Sequence, residues 1–181
     1  MRILVLSDTH GKLGNAFDIW ERLRNIDLVI HCGDHKHDGD ELGDAWRVPC
    51  VSVNGNCDSY TKDEAIVKTP AGDILVCHGH GFYTEEELAE QAELHDCMAV
   101  CFGHTHIPLI SYTNGVYLIN PGSISLPHGD HRASAAVITA TEDDFYANII
   151  YHDTIAGAKL RAENSVKGGY LRSLINYSDG F

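Results

Sequence analysis

Along the first hundred residues, short apolar runs alternate with a stretch of helical periodicity, and most runs end in polar, glycine-bearing sequence. Residues 2–7 and Asp27-Leu-Val-Ile are continuous apolar runs, while Ala16, Phe17, Ile19, Trp20 and Leu23 recur between them at helical spacing. That order predicts a strand–helix–strand unit. Val48–Val53, Asp73–Cys77 and Met98–Phe102 are further candidates for buried strands. A helix is predicted over Thr84–His95, because Thr84 and Glu87 fit a capping box in which each side chain satisfies the other's backbone N–H. The first half reads β-α-β-x-β-β-α-β, with one segment unassigned.

After residue 106 the pattern changes. Ile107–Tyr112 and Val116–Asn120 flank Asn114-Gly115, a pair that tolerates the positive φ of a tight hairpin turn. Ala133–Ala140 and Phe145–Tyr151, joined through Glu142-Asp143-Asp144, predict a second hairpin. The expected fold class is α/β, a two-sheet mixed β-sandwich flanked by helices. One domain over residues 1–181 is expected, with its core at about 1–153. The tail 154–181 is weakly helical near Ala156–Glu163, is broken at Gly168-Gly169 and receives no chemistry. No internal repeat or low-complexity tract is present.

Composition narrows the partners. The 26 acidic residues outnumber 13 Lys and Arg, for a formal net charge of −13, and the basic residues form no run longer than two. Long nucleic acids are disfavoured because tracking phosphates requires a basic stripe. No apolar segment approaches the roughly 20 residues that span a bilayer, and the N-terminal run is too short for a signal sequence. A cytoplasmic protein without a membrane partner is expected, and a homo-oligomer is left open. Six cysteines without CxxC spacing favour reduced thiols over a disulfide framework.

Five stretches end strand-like runs with metal-type ligands: Asp8-Thr9-His10, Gly33-Asp34, Gly55-Asn56-Cys57-Asp58, His78-Gly79-His80 and Gly103-His104-Thr105-His106. In an open α/β sheet the crevice beyond the strands' carboxyl ends gathers such residues, so positions 8 to 106 can meet. Each motif alone has a plain reading. Asp8 can cap a helix, Gly-Asp and Asn-Gly are ordinary turns, and a lone histidine is more often a satisfied polar residue than a ligand. His35 and His37 also stand two apart but follow no strand end, and read as solvated loop residues or an outer shell.

Together Asp8, His10, Asp34, Asn56, His78, His104 and His106 supply seven ligands, about four for each of two ions when Asp34 is shared. Carboxylate with imidazole suits Mn, Fe, Ni or Zn better than Ca or Mg. A hydroxide bridging two such ions can attack phosphorus in line while the metals neutralise phosphoryl charge, so no Ser or Cys nucleophile is needed. A small phosphorylated substrate is the expected partner. Alternatives are a non-catalytic interaction scaffold, a phosphomonoesterase, or a metal buffer or sensor using the His-rich surface.

The ordered set D-x-H, G-D, G-N-x-[DE], G-H and G-H-x-H resembles the calcineurin-like metallophosphoesterase superfamily, and Ile119-Asn120-Pro121-Gly122-Ser123 extends the resemblance toward its YfcE-type phosphodiesterases. The resemblance implies a first ion held by Asp8, His10, Asp34 and His106, and a second by Asp34, Asn56, His78 and His104. It also implies phosphodiester hydrolysis, with Mn2+ the leading cofactor and Ni2+, Zn2+ or Fe2+ as alternatives. The same fold serves as a scaffold in a retromer subunit, whose altered metal site is not the basis of its function. Catalytic roles fall to Asp34, Asn56, Cys57 and His80. Cys57 stands where phosphatases of the superfamily usually carry the histidine that protonates the leaving oxygen, and a neutral thiol is a weak donor. His80 is a substitute donor or an outer-shell residue. The Asn120–Ser123 turn either offers backbone N–H groups to a phosphate or is a plain loop.

Overall fold

The computed structural model describes residues 1–58 and 63–155; most of the tail 154–181 lies outside the described residues. The elements run β1 (Arg2–Leu6), α1 (Gly14–Trp20), β2 (Leu28–His31), α2 (Lys36–Trp46), β3 (Cys50–Ser52), β4 (Glu64–Thr69), β5 (Gly72–Cys77), α3 (Glu85–Leu94), β6 (Ala99–Cys101), β7 (Pro108–Thr113), β8 (Val116–Pro121), β9 (Ser134–Ala140), β10 (Phe145–Tyr151) and α4 (His152–Ile155). The strands form two five-stranded sheets, ordered β10-β9-β1-β2-β3 and β4-β5-β6-β8-β7. The α/β sandwich expected from the sequence is the fold found.

Each sheet contains three successive parallel strands, β1-β2-β3 in one and β5-β6-β8 in the other. Val5 pairs with Ile30 and Ile30 with Val51, while Leu75 pairs with Val100 and Val100 with Leu118. Antiparallel β9, β10, β4 and β7 complete the sheets around these strands.

Strand alternation divides the core into three layers. Ile3, Val5, Ile30, Ile74, Val76, Ile119 and Ile138 face one another between the sheets. Leu4, Leu6 and Val29 point the other way, onto Ala16 and Ile19 of α1 and Leu42 and Trp46 of α2. Leu75, Val100 and Leu118 meet Leu88, Ala89 and Ala92 of α3. Full burial of one such large side chain contributes roughly 1.5–3 kcal/mol, so the parallel strands form a firm platform. The capping box of α3 is present, with the Glu87 N–H donating to Thr84 Oγ1.

Two elements escape the sequence pattern. Helix α2 buries Asp38, Gly39, Leu42, Gly43 and Trp46 on one face. Glycines occupy that face because a Cβ at position 39 would strike Ser52 and His31, and one at 43 would strike Cys50. Close helix–sheet approach has thereby erased the apolar periodicity. His35 and His37 consequently lie at the start of this helix, not in a loop; both are exposed. Strand β4 is an edge strand that buries only Val67, so its sequence carries no buried-run signal.

Candidate metal centre

Five parallel strands deliver the candidate ligands to one end of the sandwich: Asp8 and His10 follow β1, Asp34 follows β2, Asn56 follows β3, His78 follows β5, and His104 and His106 follow β6. The chain turns abruptly there. Asp8, His10, Asp34, His104 and His106 all adopt left-handed backbone, with φ of 54°, 47°, 54°, 68° and 59°. Such positions cost a non-glycine residue roughly 1–3 kcal/mol and gather where side-chain aim matters more than local comfort.

The first group is compact. Ligand atoms of Asp8, His10, Asp34 and His106 all lie within 4.8 Å of one another. His106 Nε2 is 3.3 Å from Asp8 Oδ1 and 3.4 Å from His10 Nε2, which is 3.7 Å from Asp34 Oδ2. Asp8 and Asp34 are 0% and 3% exposed, and His106 is 8% exposed. Asp8 caps no helix; its Oδ2 accepts the His104 N–H, while buried Oδ1 accepts no aligned hydrogen bond. An ionised oxygen left so is costly unless a cation faces it, and the donor set fits a first-row divalent ion.

The second group is more open. His78 Nε2 lies 3.3 Å from Asp34 Oδ1, 3.1 Å from Asn56 Oδ1 and 4.0 Å from Asp8 Oδ1. His104 reaches it only ring to ring, 5.2 Å from His78 between centroids, and His80 flanks the pair at 5.5 Å from His78 and 6.3 Å from His104. Asn56 and His104 are exposed. Asp34 thus turns Oδ1 toward one group and Oδ2 toward the other.

Tautomers and charges suit ligation. His78 Nδ1 faces Cys32 O at 2.8 Å and His106 Nδ1 faces Leu126 O at 2.5 Å, so each ring donates backwards and leaves its Nε2 lone pair toward the cluster. Burial lowers the pKa values of His10 and His104 despite nearby carboxylates, favouring neutral rings. The facing Asp8 carboxylate raises that of His106. Burial would raise the Asp34 carboxyl, but the Cys57 N–H, His78, the Cys57 thiol and His10 outweigh it and hold the group below its ordinary value. Cys57 is engaged: its N–H and S–H reach the two Asp34 oxygens at 2.9 and 3.2 Å. Local burial and that carboxylate push the thiol up to about 11.

Several residues support the cluster through contacts that their sequence motifs do not report. Buried Asn120 donates to Gly103 O and Thr105 Oγ1, and its Oδ1 accepts the Gly122 N–H. That N–H is therefore engaged within the turn, unlike the phosphate-facing donor considered from sequence. Ser123 and Ser125 hydroxyls both donate to Asp8 O. His31 accepts the Gly33 N–H at Nδ1 and meets Thr9 Oγ1 at Nε2, a pairing that requires the neutral ring. Only its place after an apolar run could have singled it out. Glycine supplies the remaining space: a Cβ at Gly55 would collide with the Asp34 carboxylate, and one at Gly103 with Ser7 and Asp8.

The family model of the calcineurin-like phosphoesterase superfamily domain matches residues 1–143. The chain belongs to that superfamily. It is 36% identical to the probable metallophosphoesterase YsnB of Bacillus subtilis, covering 79% of this chain and 86% of YsnB. The phosphodiesterase YfcE of Escherichia coli K12 is 30% identical over 98 residues, which are 49% of this chain and 51% of YfcE. Among solved structures, a conserved Streptococcus pneumoniae protein described as a predicted phosphoesterase matches with a TM-score of 0.70 at 25% identity, covering 84% and 90% of the two chains. A variant of Vps29 from Entamoeba histolytica matches with a TM-score of 0.67 at 23% identity, covering 80% and 89%, which shows a shared fold. The phosphoesterase motifs named from sequence therefore belong to a phosphoesterase of this family, with a cluster able to hold a metal ion.

Proposed function

We propose that the protein is a dinuclear metal-dependent phosphodiesterase acting on a small phosphorylated substrate. One observation carries the reading: the Asp34 carboxylate divides its oxygens between two ligand groups, Oδ2 toward His10 and Oδ1 toward His78. A carboxylate so placed would hold an ion on each side, with Asp8, His10 and His106 on one and Asn56, His78 and His104 on the other. When bound, two divalent ions supply a hydroxide nucleophile at neutral pH and Lewis-acid neutralisation of phosphoryl charge.

The chain's own residues do the rest. Asp8, His10 and His106 form one wall with Asp34, and Asn56, His78 and His104 the other. The neutral Asn56 amide leaves its side more electrophilic than a further carboxylate would. Cys57 orients Asp34 through both of its donors, and a thiol at about 11 is a poor proton source for a leaving alkoxide. His80, beside His78 and His104, is the alternative donor for that proton. Activated diesters should accordingly react faster than alkyl monoesters. Mn2+ is the ion of this proposal, with Ni2+, Zn2+ or Fe2+ compatible with the same donors. A reducing cytoplasmic setting is part of the reading, supported by six free cysteines. Among the described residues no helix is long and apolar enough to cross a membrane.

The test is hydrolysis of bis-p-nitrophenyl phosphate against p-nitrophenyl phosphate by metal-stripped protein reloaded with Mn, Ni, Zn or Mg, with Asp34→Asn as control. A metal-dependent diesterase rate lost in the variant is expected. A higher monoester rate would replace the diesterase assignment with a phosphomonoesterase. Bound ions without turnover of either ester would favour the scaffold reading.

A further inference from the structure

We propose that His128 is a positioning residue, stacked on His106 so that the plane of that imidazole is fixed with Nε2 toward Asp8 and Asp34. His106 sits on a left-handed backbone position in a loop; the Leu126 carbonyl holds its Nδ1, and its Nε2 lies 3.3 Å from Asp8 Oδ1 and 3.4 Å from His10 Nε2. Contacts at the two ring nitrogens locate those atoms but leave the ring free to roll about the line through them. His128 constrains that roll: the two rings lie 4.4 Å apart between centroids and within 16° of parallel.

The backbone holds both members of the pair. The His128 N–H approaches the His106 carbonyl at 3.5 Å, and the residues just before it are anchored to the same cluster. Ser123 and Ser125 grip the Asp8 carbonyl, and the Leu126 N–H returns to Ser123 Oγ. One segment, 123–128, therefore fixes Asp8 through its backbone and His106 through its ring. His128 itself is exposed, so replacing it leaves the core untouched.

This inference rests on the reading of Asp8, His10, Asp34 and His106 as metal ligands, and the experiment separates the two. Mn2+ affinity is measured by competition with a chelator for wild type, His128→Ala and His128→Phe, with thermal midpoints recorded in parallel. Outer-shell supports of metal-ligating histidines typically alter affinity by about 10–100-fold. His128→Ala is expected to lose roughly tenfold with an unchanged midpoint, and His128→Phe, which keeps a stacked ring but no ring nitrogen, to stay within about threefold of wild type. Equal affinity in wild type and His128→Ala would overturn the role of His128 while leaving the ligand reading intact. A loss in His128→Phe as deep as in His128→Ala would overturn stacking as its basis. Failure of wild type to bind Mn2+ while the fold persists would overturn the ligand reading and this inference with it.

Discussion

The two halves of the candidate centre differ in how they are held. Asp8 and His106 are buried, braced from behind by Ser123, Ser125 and Leu126, and within 4.8 Å of Asp34 and His10. Asn56 and His104 are exposed, and only His78 on their side is both buried and tied back to a carbonyl. A half that is organised before anything binds loses little freedom on binding, whereas the open half must order its side chains at that moment. On the proposed two-ion reading, the first group should hold its ion more tightly and the second should exchange with solvent and substrate.

The largest effect should come from the residue the halves share. Asp34→Asn is expected to lower metal-dependent diesterase kcat/KM by roughly a thousandfold or more, read with saturating Mn2+. An intact rate would mean that neither half needs the bridge. Removing one ligand from each half then separates them. His106→Ala should abolish the tighter of two chelator-resolved binding steps, a loss of about a hundredfold or more, and Asn56→Ala should weaken only the looser one. The reverse pattern would invert the comparison.

A pH effect probes the support beneath the first half. His31 is wholly buried and neutral, its pKa lowered from 6.5 to about 4 chiefly by burial. Below pH 6.5 the unfolded chain takes up a proton that the folded chain refuses, so the stability this residue confers is present above 6.5 and is lost as the pH falls to about 4. The loss totals roughly 3 kcal/mol. Urea unfolding between pH 7 and 4.5 should show that slope in wild type and a flatter one in His31→Gln; parallel curves would contradict it. Smaller still, Asn120→Ala leaves the Gly122 N–H without its Asn120 acceptor, while Gly103 O keeps the Thr105 N–H, and should cost about 2 kcal/mol in the same assay. Last, Cys57→His should raise hydrolysis of p-nitrophenyl phosphate about tenfold by supplying an acid titrating near neutrality. No gain at any pH, with metal bound, would remove the missing acid as the cause of slow monoester cleavage.

What could be read from the chain follows from which interactions are local. β1, β2, β5 and β6 are apolar runs because both of their faces are covered, and six of the seven candidate ligands stand at their ends, with Asn56 after the half-buried β3, so fold class and candidate positions were visible together. Helix α2 was not, since its packing face is glycine, and β4 was not, since an edge strand needs few apolar residues. The engagement of Cys57 with Asp34 joins residues 23 apart, and the grip of Ser123 on Asp8 joins residues 115 apart. No spacing rule reports contacts of that range.

The glycines beside the carboxylates bear on how related sequences should be read. Gly55 and Gly103 contribute no side-chain donor, acceptor or charge, yet a single methyl at either would displace Asp34 or Asp8. A descendant of this chain could therefore keep every candidate ligand and still lose the centre. Seven intact side chains vouch for a working site only where the empty space around them has also been inherited.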